Sequence, residues 1–154
     1  GDALTGLDEL LDGCLLRLLR VDDASVEVTR HRGTDGITLG AAMASHFDAR
    51  VVYAKETKET AVEEFVESRQ RVSPGMELTY YLPARALSPN DTVLVVDDLI
   101  RSGETQTLLL DIAEQAETTV AGVFALIAVG EDGLDRVRGL TDAPVGALST
   151  FAPE

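Results

Sequence analysis

The stretch Val93-Leu-Val-Val-Asp-Asp-Leu-Ile-Arg-Ser-Gly-Glu-Thr105 decides the fold. Its first four residues form an aliphatic run without a polar interruption, the pattern of a strand buried on both faces and hence of a parallel sheet. Asp97 and Asp98 stand at the expected carboxyl end of that strand, and Ser102-Gly103 opens a tight turn. A helix follows, marked by the apolar stripe Leu108, Leu109, Ile112, Ala113 and Ala116. Ligands of open parallel sheets gather beyond the carboxyl ends of the strands, so position alone singles out the two aspartates.

Outward from this core the chain alternates in the same way. Ser25 to Arg30 reads as a strand, Gly36 to Phe47 as a helix of small and apolar residues, and Arg50 to Ala54 as a second strand. Lys55 to Gly75 turns polar and is read as a loop, with a short amphipathic patch at Ala61 to Val66 and a Ser73-Pro74-Gly75 turn at its end. A loop of that length in a small domain is functional or disordered. Leu78 to Leu82, Val120 to Val129 and Val145 to Phe151 complete the strands, Glu131 to Arg138 supplies a short helix, and Leu4 to Arg20 an amphipathic one. Strands alternating with helices predict an α/β fold, a Rossmann-like parallel sheet with right-handed crossovers, in one domain covering residues 1–154.

Twenty-seven acidic residues against thirteen basic ones give a formal charge of −14, spread along the chain. That surface repels nucleic acid, and it fits a high-salt cytoplasm such as that of a haloarchaeon, where screening makes the repulsion tolerable. No run approaches the roughly 18 apolar residues of a membrane span, and no signal-peptide series opens the chain, so a cytoplasmic protein is expected. Cys14, the only cysteine, sits among leucines as a buried apolar side chain. The chain begins at Gly1 rather than Met, so upstream residues are expected.

The double Asp and the turn after it have a joint chemistry. Backbone N–H groups and the hydroxyls of Ser102 and Thr105 converge near a positive helix terminus, which makes a phosphate cradle. Two carboxylates would repel that phosphate but would accept from vicinal hydroxyls, so the spacing fits a ribose phosphate. It fits neither a P-loop, which ends in Gly-Lys-Ser/Thr, nor the Gly-x-Gly-x-x-Gly dinucleotide turn. The plainer alternative is a strand-terminating acidic pair and a helix cap at Ser102.

All thirteen residues resemble the phosphoribosyl pyrophosphate (PRPP) signature of the type I phosphoribosyltransferases. Tyr80-Tyr-Leu-Pro-Ala-Arg-Ala-Leu-Ser-Pro89 and Gly122-Val-Phe-Ala-Leu-Ile-Ala-Val-Gly130 are similar to the adenine and xanthine branch, which also contains a purine repressor. The resemblance implies that Asp97 and Asp98 hold the ribose hydroxyls and act in catalysis, and that Arg101, Ser102, Gly103, Glu104 and Thr105 bind the 5′-phosphate. It implies a pyrophosphate site at Arg32, Gly33, Thr34 and Asp35, which otherwise form an ordinary strand-to-helix turn. Lys55, as a further catalytic residue, and Lys58 would neutralise the pyrophosphate, although both can be solvated surface cations. Mg2+ would enter on PRPP, with no direct protein metal site.

The same resemblance makes residues 56–77 a mobile loop that closes over the site, with Arg69 and Arg71 as candidate anion contacts. It implies a homodimer and transfer of ribose 5-phosphate to a nucleobase, most simply a purine. The alternative is a regulator's ligand-sensing domain with the same site and no turnover. Arg101 departs from the mammalian hypoxanthine-guanine enzymes, where an aspartate works near the purine N7. Glu104 adds a negative charge beside a phosphate, and the base-binding hood is minimal.

Overall fold

The computed structural model describes residues 24–29 and 35–153. The expected helix at Leu4 to Arg20 lies outside them, as do Arg32, Gly33 and Thr34, expected to bind pyrophosphate. Five strands form one parallel sheet: β1 (Ala24–Thr29), β2 (Arg50–Ala54), β5 (Thr92–Ile100), β6 (Thr119–Val129) and β7 (Val145–Phe151). Their spatial order is β2-β1-β5-β6-β7. The chain therefore winds one way from β1 through α1 (Asp35–Phe47) to β2. It winds the other way from β5 through α2 (Glu104–Gln115) to β6, and then through α3 (Asp132–Arg138) to β7. Right-handed crossovers in opposite directions put α1 on one face and α2 with α3 on the other.

Each face has its own core. Met43, Ala44, Leu94, Val96 and Phe124 pack on the α1 side, and Val93, Val95, Leu108, Leu109, Ile112 and Leu134 on the α2 side. Burial of each large aliphatic contributes roughly 1.5–3 kcal/mol. At the far end of the sheet Arg50 and Asp91, 2.9 Å apart, tie the start of β2 to the turn before β5. No helix among the described residues is long and apolar enough to cross a membrane.

Two expectations need correction. The segment read as one loop from Lys55 to Gly75 contains a strand, β3 (Phe65–Ser73), which pairs antiparallel with β4 (Met76–Pro83) in a separate two-stranded ribbon. Only its first half, about 56–64, lies outside regular strands, so the 56–77 loop is shortened. The strand escaped notice because its inward positions include the polar Ser68 and Gln70, which erase the apolar alternation. Backbone hydrogen bonds in both directions between Lys55 and Tyr81, at 2.9 and 2.8 Å, join the ribbon to the end of β2.

The second correction concerns β5, which does not stop at the aspartates. Pairing with β1 ends at Val96, whereas pairing with β6 continues through Leu99 and Ile100. Among the described residues, Asp97 and Asp98 thus sit on a step where the strand keeps β6 and has no partner in β1.

Candidate functional site

The order of winding reverses between β1 and β5, the place where ligands of open parallel sheets gather beyond the carboxyl ends of the strands. The loop of residues 101–103 passes from β5 into α2. Gly103 is the N-cap residue with φ +76°, a left-handed conformation that costs glycine little and other residues more. The first turn of α2 follows with no side-chain cap on its orphan amides, and the carbonyl of Gly103 accepts from the amide and the hydroxyl of Thr107 at 3.0 and 2.7 Å. A cavity of about 360 Å³ lies over this turn, between residues 97–106 and the apolar tip of the ribbon at Val72, Met76 and Leu78.

The two aspartates are not equivalent. Asp97 is 2% exposed; its Oδ2 accepts from Gln106 Nε2 at 2.5 Å and its Oδ1 from the amide of Asp98 at 2.9 Å. Gln106, itself buried, also reaches the carbonyl of Leu99 at 3.3 Å, so one amide side chain locks the step of β5 to the first turn of α2. Asp98 is half-buried and lines the cavity. Arg101 and Ser102 are exposed beside it, and the Ser102 hydroxyl donates to Glu104.

Tyr80 of β4 backs the site. Its hydroxyl lies 3.5 Å from Glu56 Oε1 and is hydrogen bonded with Thr105. Burial, chiefly, with help from the Glu56 charge, pushes its pKa up to about 12, and the bond with Thr105 opposes the rise.

All seven residues expected to hold the ribose phosphate, Asp97, Asp98 and Arg101 to Thr105, line this one cavity. Lys55 and Lys58 do not. Lys55 is paired with Glu59, and Lys58 stands 4.8 Å over the Tyr81 ring and 3.6 Å from Glu67. Arg69 is taken by Glu67 at 2.7 Å and Glu77 at 3.4 Å, and its hydrogen bond holds the Glu67 carboxyl below its ordinary pKa. Asp35 is the first residue of α1. Gln106, Tyr80, Gly133 and Arg136 were missed, because their partners lie on other elements.

A larger hollow of about 580 Å³ lies between β3 and the outer face of α2, lined by Gln70, Asp111 and Glu114 among others. It carries carboxylates but no turn of orphan amides, so the smaller cavity is the better anion site. Among the described residues no group of three or more His, Cys, Asp or Glu side chains converges to hold a metal.

No protein-family profile matches the chain. Over 94 residues it is 31% identical to the xanthine phosphoribosyltransferase of Staphylococcus aureus strain JH9, a match covering 60% of this chain and 49% of that protein. The chain thus spans about half the length of the curated relatives it matches. Among solved structures it is similar to the adenine phosphoribosyltransferase of Rhodothermus marinus, with a TM-score of 0.77 at 22% identity over 96% of this chain and 78% of that one. It is also similar to the Saccharomyces cerevisiae adenine phosphoribosyltransferase complexed with an imino-altritol bisphosphate and adenine, at a TM-score of 0.74 and 16% identity over 94% and 76% of the two chains. The fold of this chain is that of the phosphoribosyltransferases, an α/β architecture of a parallel sheet flanked by helices.

Proposed function

We propose that the chain is the PRPP-binding domain of a type I phosphoribosyltransferase that moves ribose 5-phosphate from pyrophosphate to a purine nitrogen. The observation that carries the reading is the cavity at the step of β5, where a half-buried carboxylate and an uncapped helix start face one small volume. The α2 amides with Ser102 and Thr105 would take the 5′-phosphate. Asp98 would accept from a ribose hydroxyl, and Asp97, held by Gln106, would fix the step on which Asp98 stands or share the second hydroxyl.

Arg32 to Asp35 would bind pyrophosphate. Lys55 and Lys58 would join them on leaving Glu59 and Glu67. Asp98 is the cavity carboxylate that would meet the hydration shell of a Mg2+ accompanying PRPP, which would supply positive charge against the leaving group. The similarity to enzymes named for xanthine and adenine supports a purine as acceptor. A cytoplasmic homodimer from a high-salt organism belongs to the same reading.

Arg101 favours a second reading. It is exposed beside the cavity and offers no carboxylate for proton transfer at the base, so a sensing domain that binds without turnover has the same geometry. The test is pyrophosphate release from PRPP and Mg2+ in high salt with a panel of bases, alongside calorimetric binding. Release with one purine establishes the enzyme, binding without release the sensor, and absence of PRPP binding refutes both. Asp98→Asn should weaken PRPP binding by roughly ten- to a hundredfold with an unchanged circular dichroism spectrum, since a charged hydrogen bond is worth roughly 1.5–3 kcal/mol.

A further inference from the structure

Glu104 is out of place in an anion site. It stands in the first turn of α2, where a bound phosphate would meet its carboxylate at short range. Its charge is answered from a different element. Arg136 of α3 places Nη1 3.5 Å from Glu104 Oε1 and 3.3 Å from the carbonyl oxygen of Ser102. The other carboxylate oxygen, Oε2, accepts from the Ser102 hydroxyl. The two charged side chains are 39% and 21% exposed, so solvent screens them only in part.

The backbone holds α3 in place for this contact. A Cβ on Gly133 would fall 2.4 Å from the carbonyl oxygen of Arg101, and one on Gly103 would fall 2.8 Å from that of Gly133. The helix therefore rests directly on the loop. The second arginine of α3, Arg138, is engaged by Glu131 at 3.1 Å and Asp135 at 2.8 Å.

Resting on the reading of the loop as a phosphate site, we propose that Arg136 is a positioning residue that neutralises Glu104 and holds its carboxylate toward α3. The Glu104 charge is then offset where a dianionic phosphate would meet the α2 amides, with Arg136 on one carboxylate oxygen and the Ser102 hydroxyl on the other. Without Arg136 the uncompensated carboxylate repels the ligand. Arg136 acts through Glu104, and its effect on binding vanishes when Glu104 is uncharged.

The test is a double-mutant cycle on the whole chain, read as calorimetric dissociation constants for ribose 5-phosphate and inorganic phosphate. Arg136→Gln should weaken binding by about tenfold at roughly 0.2 M KCl and less at about 2 M, where screening is strong. In a Glu104→Gln background the same change should alter binding by less than about twofold. Arg136→Lys, which keeps the charge, should retain most of the affinity, and it carries the test if the Gln variant does not fold. Equal losses from Arg136→Gln in both backgrounds, or no loss in either, would overturn the proposal. A parent chain that binds PRPP normally but shows no such coupling refutes Arg136 alone, whereas one that binds no phosphate ligand refutes the site and the proposal together.

Discussion

Tyr80 is fully buried, and its hydroxyl joins the ribbon to the first turn of α2 at Thr105. Folding raises its pKa to about 12, so the protonated phenol stabilises the folded state fully below the unfolded value near 10. That stability drains as pH rises from about 10 to 12, and the loss should be on the order of 3 kcal/mol at most. Scanning calorimetry across that range should show a steeper fall in midpoint for the parent than for Tyr80→Phe, and parallel curves would remove Tyr80 from this role. The sequence does not disclose this residue, since a tyrosine in a strand reads as core and its polar partners lie 24 and 25 positions away. Asp97 and Asp98 are legible because an acidic pair after four aliphatics has a positional meaning. Their division of labour is not, because it depends on Gln106, which in a helical stripe reads as one more surface amide.

At the scale of elements, α3 is a seven-residue helix whose packing against the loop is backbone on backbone. Gly133→Ala cannot be absorbed by a side-chain shift, since the atom in the way is the carbonyl oxygen of Arg101. It should cost about 1–3 kcal/mol, seen as a lower thermal midpoint, and should weaken phosphate binding as the loop is displaced. The parallel strands and their helices were readable from aliphatic runs and helical stripes, and Arg50–Ala54 and Val145–Phe151 stand where the pattern put them. β3 was not, although its turn was: Pro74-Gly75, with Gly75 at φ +82°, connects Ser73 to its partner Met76. A turn signal identifies a hairpin only when both arms show a strand pattern, and one arm here is charged on its outer face.

For the whole molecule, a charge of −14 is a repulsion distributed over the surface, and screening should relieve it. Raising KCl from about 0.1 to 2 M should lift the thermal midpoint by about 5 °C or more, and a flat or falling curve would count against a high-salt habitat. Charge acts here on solubility and stability, whereas the place of the site is fixed by topology, at the switch in strand order between β1 and β5. The uneven ending of β5, paired with β6 to Ile100 but with β1 only to Val96, has a consequence for how such a site evolves. The floor of the cavity through Ile100 is main chain anchored by ladder bonds to β6, so substitutions at half-buried Asp98 or exposed Leu99 can change what faces the cavity while the floor stays in place.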